Sequence, residues 1–254
     1  MGAHISPERP LEQAADLGAD CVQIFLSDPQ GWEKPAHRAD TEELRASAVP
    51  VYVHAPYLIN VCSPKNNVRY GSRKILQQTC DAAGEVGAAA VIVHAGFAED
   101  GVEDGIGRWL RTLEMLSSEV PVLIENTAGG TNAVARRFDD LARLWEAISG
   151  RDDGLRPGFC FDTCHAHAAG EDPDHAVERA LAACGTIDLV HANDSKDPAG
   201  SGRDRHQNLG HGEIGADVLR AMMAACAGTP VVCETPGTAG DMRADLEFVR
   251  DALA

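Results

Sequence analysis

Short apolar runs alternate with stretches of helical periodicity along the whole chain. Runs at 2–6, 20–26, 51–55, 90–95, 121–126, 158–163, 188–193 and 230–235 are apolar on both faces, as strands covered by helices must be. Helical stretches are expected between them, at 10–18, 41–47, 67–86, 104–119, 132–148, 173–184, 215–227 and 241–254. Eight β–α repeats with no strand to spare predict a closed (β/α)8 TIM barrel rather than an open doubly wound sheet. Nothing in the composition divides the chain, so residues 1–254 are expected to form one domain. The longest segment with neither pattern runs from about Asp194 to Gly212. Patternless stretches of that length inside a compact domain are usually functional or disordered, and this one, which carries Asp204, His206 and His211, reads as functional.

In such barrels the chemistry collects at the C-terminal ends of the strands. The apolar runs there close on His54, His94, Glu125, Asp162, His191 and Glu234. Six consecutive strands thus deliver a metal-competent side chain to one rim, and His165, Asp204 and His206 can reach it from adjoining loops. Asp162 and His165 stand three residues apart, a spacing that suits a helix cap as well as a ligand pair. Five histidines and four carboxylates exceed the four or five positions of one Zn²⁺. With one carboxylate bridging, nine ligands divide among three metals and leave open positions. Histidine and carboxylate without cysteine suit Zn²⁺ or Mn²⁺ in a hydrolytic site, so the reaction class implied is metal-assisted phosphoester hydrolysis.

Composition changes the picture in two respects. The eight cysteines form no Cys-x-x-Cys pair and several lie inside apolar patterns, which suits reduced, packed thiols. Net charge is −17, and no run of Lys or Arg offers an obvious phosphate track, so composition alone argues against a polyanionic partner. No apolar run approaches the roughly 18 residues of a membrane span. The residues after Met1 lack the basic and apolar regions of a secretory signal, and a cytoplasmic protein is expected.

Several blocks resemble the endonuclease IV family of apurinic/apyrimidinic endonucleases. They are VLIENTAG at 122–129, FDTCHAHAAG at 161–170, HANDSK at 191–196, GSGRDRH at 200–206 and LGHGEIG at 209–215, with weaker matches in GAHIS at 2–6 and YLIN at 57–60. The resemblance implies a TIM barrel holding three Zn²⁺, with Mn²⁺ able to replace one. His54 and His94 would bind the first ion with Glu125, which bridges to a second held by Asp162, His191 and Glu234. The third would sit on His165, Asp204 and His206. Glu125, Glu234 and His94 are the expected catalytic residues. The implied activity is hydrolysis of the phosphodiester 5′ to an abasic site in duplex DNA, leaving a 3′-hydroxyl, in base excision repair. Removal of 3′ blocking groups would use the same chemistry, and a monomer is expected.

For substrate binding, the resemblance places Tyr57 against the duplex, where it would support nucleotide flipping. Gln30 stands where family members can carry an Arg that enters the DNA stack. Lys65, Arg69, Lys196, Arg203 and Arg205 would form a weak cationic rim with a small salt slope. His4 is expected to support the site by hydrogen bonding rather than ligation. His167 and His211 are left unassigned, and His37 and His175 are read as surface residues. The rival reading is a sugar isomerase or epimerase of the related xylose-isomerase-like barrels, with a single divalent metal on Glu125, Asp162, His191 and Glu234. His54, His94, Asp204 and His206 would be surplus to that chemistry.

Overall fold

The computed structural model describes residues 1–254. Its strands are β1 (Gly2–His4), β2 (Cys21–Phe25), β3 (Val51–His54), β4 (Ala90–His94), β5 (Val122–Glu125), β6 (Gly158–Asp162), β7 (Leu189–His191), β8 (Asp194–Ser195), β9 (His206–Gln207) and β10 (Val231–Cys233). The helices are α1 (Pro10–Leu17), α2 (Thr41–Ala46), α3 (Asn66–Glu85), α4 (Val102–Met115), α5 (Phe138–Ser149), α6 (Thr163–Ala169), α7 (Ala176–Cys184), α8 (Ala216–Ala225) and α9 (Ala239–Ala252). Eight parallel strands close in the order β1-β10-β7-β6-β5-β4-β3-β2, the expected barrel.

Alternation along each strand decides what faces inward. Val22, Val53, Val91, Ile124, Phe161 and Val190 join the large core between sheet and helices. The other face supplies a small cluster that fills the barrel interior, including Cys21, Tyr52, Ile92, Leu123, Cys160, Leu189 and Val232. Two residues further along the same strands stand Gln23, His54, His94, Glu125, Asp162, His191 and Glu234. An apolar plug therefore carries a wholly polar layer, one step nearer the C-terminal rim. At Gly2 the backbones of β1 and β2 run so close that a Cβ would collide with the Cys21 carbonyl.

The structure departs from the expected elements in four places. After β6 the chain enters a further helix, α6, where none is expected. The segment from Asp194 to Gly212 is not patternless, because β8 and β9 pair antiparallel within it. Helix α4 stops at Met115, where Leu116 becomes extended. Helix α5 begins at Phe138 instead of position 132, since the preceding residues are used as an arm. There Val134 N–H donates to Gly96 O at 3.0 Å and Thr127 N–H to Ala135 O at 3.2 Å. The buried Glu171 carboxylate then caps the helix at the Phe138 N–H, 3.1 Å away. The cysteines are all unpaired, and all but the half-buried Cys184 are buried.

Candidate metal centre

Glu125 sits at the middle of the polar layer and is fully buried. Its Oε2 lies 3.2 Å from His54 Nε2 and 3.3 Å from His94 Nε2. Its Oε1 lies 3.0 Å from His191 Nδ1 and 3.3 Å from His165 Nδ1. Glu234 Oε2 closes the other side of His191, 3.2 Å from Nδ1.

Neighbouring groups fix which ring nitrogen faces the centre. His54 Nδ1 is 2.7 Å from the Ala55 carbonyl, His165 Nδ1 is 2.8 Å from Asn126 O, and His206 Nδ1 is 3.2 Å from Glu234 O. A carbonyl only accepts, so each Nδ1 carries a proton and each Nε2 is the nitrogen turned to the centre. His191 is held the other way round by Gln23. The Gln23 amide nitrogen donates to Glu234 Oε1 at 2.6 Å, which points its oxygen at His191 Nε2, 2.9 Å away. His191 Nε2 is then the protonated nitrogen, and Nδ1 faces the two carboxylates. Gln23 also reaches His4 Nδ1 at 2.9 Å, so His4 stands behind the layer in the supporting position expected of it. Fixing the tautomer from behind in this way is what metal-ligating histidines require.

The loop-borne residues complete the cup. Asp162 does two jobs, for its Oδ1 caps α6 at the His165 N–H, 2.6 Å away, while Oδ2 accepts from Asn193 Nδ2 at 2.7 Å and faces His206. Asp204 brings its two oxygens within 3.1 Å of His165 Nε2 and 3.0 Å of His206 Nε2. Those two nitrogens are buried yet make no hydrogen bond. Two buried imidazole nitrogens and a carboxylate converging in this way form a donor set that fits a cation.

Donor atoms cluster within 4.8 Å in the sets His54, His94 and Glu125; His54, His191 and Glu234; and Asp162, His165 and His206. Asp162 groups there with the loop-borne histidines, and it also stands beside His191 in the sheet register and is tied to Glu234 through Asn193. Cys160 falls within the same distance of Glu125 and His191, and Cys164 of Asp204 and His206. Burial raises both thiols to about 12, so neither is an anionic ligand by itself at neutral pH.

Without a cation the cup balances its charges internally. Burial opposes charge on His165, but Asp162 and Asp204 overrule it and hold the ring well above its usual range. Burial likewise opposes charge on His206, yet the adjacent Asp204 and Asp162 carboxylates raise it to about 9. At His94 burial wins over Glu125 and lowers the ring to about 4. Burial works against Glu125, Glu234 and Asp204 too, and the surrounding imidazoles depress all three.

A model of the xylose isomerase-like TIM barrel matches residues 11–252. The chain is 55% identical over 253 residues to a probable endonuclease 4 of Mycobacterium leprae, covering 99% of this chain and 98% of that protein. It superimposes on endonuclease IV of Thermus thermophilus with a TM-score of 0.83 at 30% identity, over 99% and 98% of the two chains. The chain belongs to the endonuclease IV family. It is therefore a nuclease enzyme. A D-tagatose 3-epimerase-like protein shares the fold, with a TM-score of 0.79 at 20% identity over 100% of this chain and 97% of that one.

Around the cup of this endonuclease IV family member lie two connected cavities. One of about 510 Å³ is lined by His54, His94, His165, Asp204, His206 and Glu234. A second of about 560 Å³ extends past Tyr57, Leu58, Phe97 and the 127–130 turn. Tyr57 is half exposed at their junction, its ring 5.8 Å from that of His94. Burial and the nearby carboxylates raise its phenol, so it stays a neutral donor.

The expected cationic rim is largely compensated. Arg205 makes a two-point contact with the buried Asp197, at 2.6 and 2.5 Å, and Arg203 leans on the same carboxylate at 3.4 Å. Lys65 pairs with Glu99 at 3.1 Å. Lys196 and Gln30 are exposed, and Gln30 is held only through its backbone N–H to Asp28 Oδ1 at 2.9 Å. His167 Nε2 lies 3.1 Å from the Asp197 carbonyl, outside the cup. His37, His175 and His211 are exposed.

Sequence reasoning missed Gln23, Asn126 and Asn193 as supports. Asn193 bridges Asp162 and Glu234 with its amide nitrogen, at 2.7 and 3.3 Å, while its oxygen accepts the Glu234 N–H at 2.9 Å. A signal for Gln23 existed, since it is the one polar residue inside the run Cys-Val-Gln-Ile-Phe, and a fully buried amide needs partners.

Proposed function

We propose that this nuclease is a zinc-dependent apurinic/apyrimidinic endonuclease that cuts duplex DNA 5′ to an abasic site and leaves a 3′-hydroxyl. The observation that carries the reading is the surplus of donors. Nine histidine and carboxylate side chains converge, and the buried Nε2 atoms of His165 and His206 lack hydrogen-bond partners. His54 and His94 would hold one ion with Glu125, Asp162, His191 and Glu234 a second, and His165, Asp204 and His206 a third. Bound there, the ions would lower the pKa of a water molecule and offset charge on the phosphoryl oxygens.

The chain's own residues would prepare that chemistry. Glu125 gathers four imidazoles on two oxygens, which fixes their mutual spacing before substrate arrives. Gln23 and the carbonyls of Ala55, Asn126 and Glu234 hold the tautomers. Tyr57 and the cavity beside it would take the displaced nucleotide and keep water from the reacting phosphate. Six positive charges brought by three ions would shift −17 to −11, and the local excess would lie where one phosphate must enter.

Incubating the zinc-loaded protein with a duplex bearing one abasic site, beside ketose and aldose sugars, tests the reading. A single nick 5′ to the lesion is expected. No nick, together with sugar interconversion, would establish the isomerase alternative on Glu125, Asp162, His191 and Glu234.

A further inference from the structure

A protein of net charge −17 must present an anionic duplex with some face that does not repel it. Its cations are unevenly spread. Between Glu43 and Asp81 the chain has no carboxylate side chain, yet carries Arg45, Lys65, Arg69, Arg73 and Lys74. Arg45 is bound to the Gly84 and Glu85 carbonyls at the far end of α3. The remaining four begin where α3 leaves the rim of the metal centre. Arg73 turns to Thr112 and to the Arg108 carbonyl. Arg69 bonds only neutral oxygens, among them the Ser63 and Pro64 carbonyls, and so keeps its charge uncompensated beside the Tyr70 ring, 5.1 Å away.

The loop after β2 packs on this same helix. Trp32 lies against Gly71, where an added Cβ would come within 3.0 Å of the indole, and it remains 48% exposed. Trp32, Lys34, Asn67, Gly71, Lys74 and Gln78 border a cavity of about 390 Å³ with no carboxylate in its lining. Glu33 is exposed and is not part of that lining. Val68, one turn of α3 away, lines the cavity of the metal centre, so the two hollows flank a single stretch of helix. The Tyr57 N–H donates to the Pro29 carbonyl at 2.9 Å, fastening the loop to the rim. From Lys65 to Lys74 the helix advances about 13 Å, roughly four base-pair steps at 3.4 Å rise. The opposite rim differs, for its two arginines are spent on Asp197.

We propose that this shoulder, with Lys34 and Lys74 as its ammonium groups and Trp32 as its floor, grips the phosphodiester backbone of the duplex arm next to the reacting phosphate. The inference rests on the endonuclease reading and names where an acidic protein holds its DNA. Attraction at one shoulder and repulsion elsewhere would also fix which way round the duplex lies.

The test uses the zinc-loaded full chain and an undamaged duplex, with binding titrated against salt. Lys34→Ala with Lys74→Ala removes two phosphate contacts, and the slope of log affinity against log salt is expected to flatten by about 1.8. The advantage of wild type over the variant should then shrink about 12-fold between 50 and 200 mM salt. Arg220→Ala with Arg250→Ala changes net charge equally but lies on the outer helices α8 and α9, and should leave the slope alone. Lys34→Arg with Lys74→Arg should retain the slope, which excludes misfolding as the cause. On abasic duplex the alanine pair should raise KM and leave kcat unchanged. A wild-type protein that nicks abasic DNA while the alanine pair keeps the wild-type slope would overturn the shoulder alone. A wild-type protein that neither binds nor nicks duplex would overturn the endonuclease reading as well.

Discussion

Six of the nine converging side chains stand on consecutive barrel strands, one step above the apolar plug, whereas His165, Asp204 and His206 hang from α6 and the loop after β7. The two halves are held by different forces. Strand register and close packing fix the first, so each side chain inherits the rigidity of the barrel. Side-chain clamps onto backbone fix the second. The buried Asp194 accepts N–H groups from Ser195, Gly210, Gly212 and Ile214, at 2.8, 3.1, 2.9 and 3.0 Å. At Gly212 a Cβ would strike the Ser195 carbonyl, so the clamp closes only on glycine. Asp245 adds the Leu209 N–H at 2.8 Å. The first half therefore depends on the barrel itself, and the second on the Asp194 and Asp245 clamps.

Removing Glu125 should do most damage, because it meets four imidazoles, three on barrel strands and one on α6. Glu125→Gln is expected to slow nicking by about 10³-fold, roughly 4 kcal/mol of transition-state stabilisation, in initial-rate measurements. Less than tenfold would deny it the central position.

Gln23 separates positioning from packing within the strand-borne half. Gln23→Met keeps the volume but frees His191 and Glu234, and should weaken metal affinity about 10–100-fold, as read by chelator competition. The melting temperature of the metal-free protein should barely move. Equal loss in both readouts would make Gln23 a packing residue only.

Asp194→Asn probes the loop-borne half. It should speed hydrogen exchange at the amides of Gly210, Gly212 and Ile214 while the amides of β4 and β5 stay protected. A uniform loss of protection would mean that the halves are one cooperative unit.

The smallest effect is that of pH on the metal-free protein. His206 is raised to about 9 from an ordinary 6.5, so its contribution to stability is full below pH 6.5 and is lost as pH rises through 9. The depressed Glu125, Glu234 and Asp204 act in the opposite sense, and their contribution is present above the ordinary carboxylate range and lost on acidification. The metal-free melting temperature should therefore fall between pH 6.5 and 9. Ion binding needs unprotonated imidazoles, so the gap between loaded and metal-free protein should widen over the same interval. A constant gap in paired melting curves would contradict this balance.

The same division explains how much could be read from sequence. The barrel and its six strand-end polar side chains follow from alternation, because period two places a polar residue directly above a plug residue. Leu123 below Glu125 and Leu189 below His191 are examples. His165, Asp204 and His206 obey no period and were found only as company for the others. Their geometry depends on contacts between distant segments, such as Gly210 with Asp194, that no local pattern encodes. Arg205 looked like a free cation because Asp197 reads as one more loop acid, and only the fold brings the two together. Helix α6 is hidden because its short run of small residues shows no apolar period, and the cap spacing of Asp162 and His165 is its one local sign.

Counting the metal ions in zinc-saturated, gel-filtered protein tests the two-part centre most directly. Three ions per chain are expected, falling to two in His206→Ala as the loop-borne half loses its ion. One ion per chain in the wild type, unchanged by His206→Ala, would contradict the account and leave only the four-residue core of the single-metal barrels.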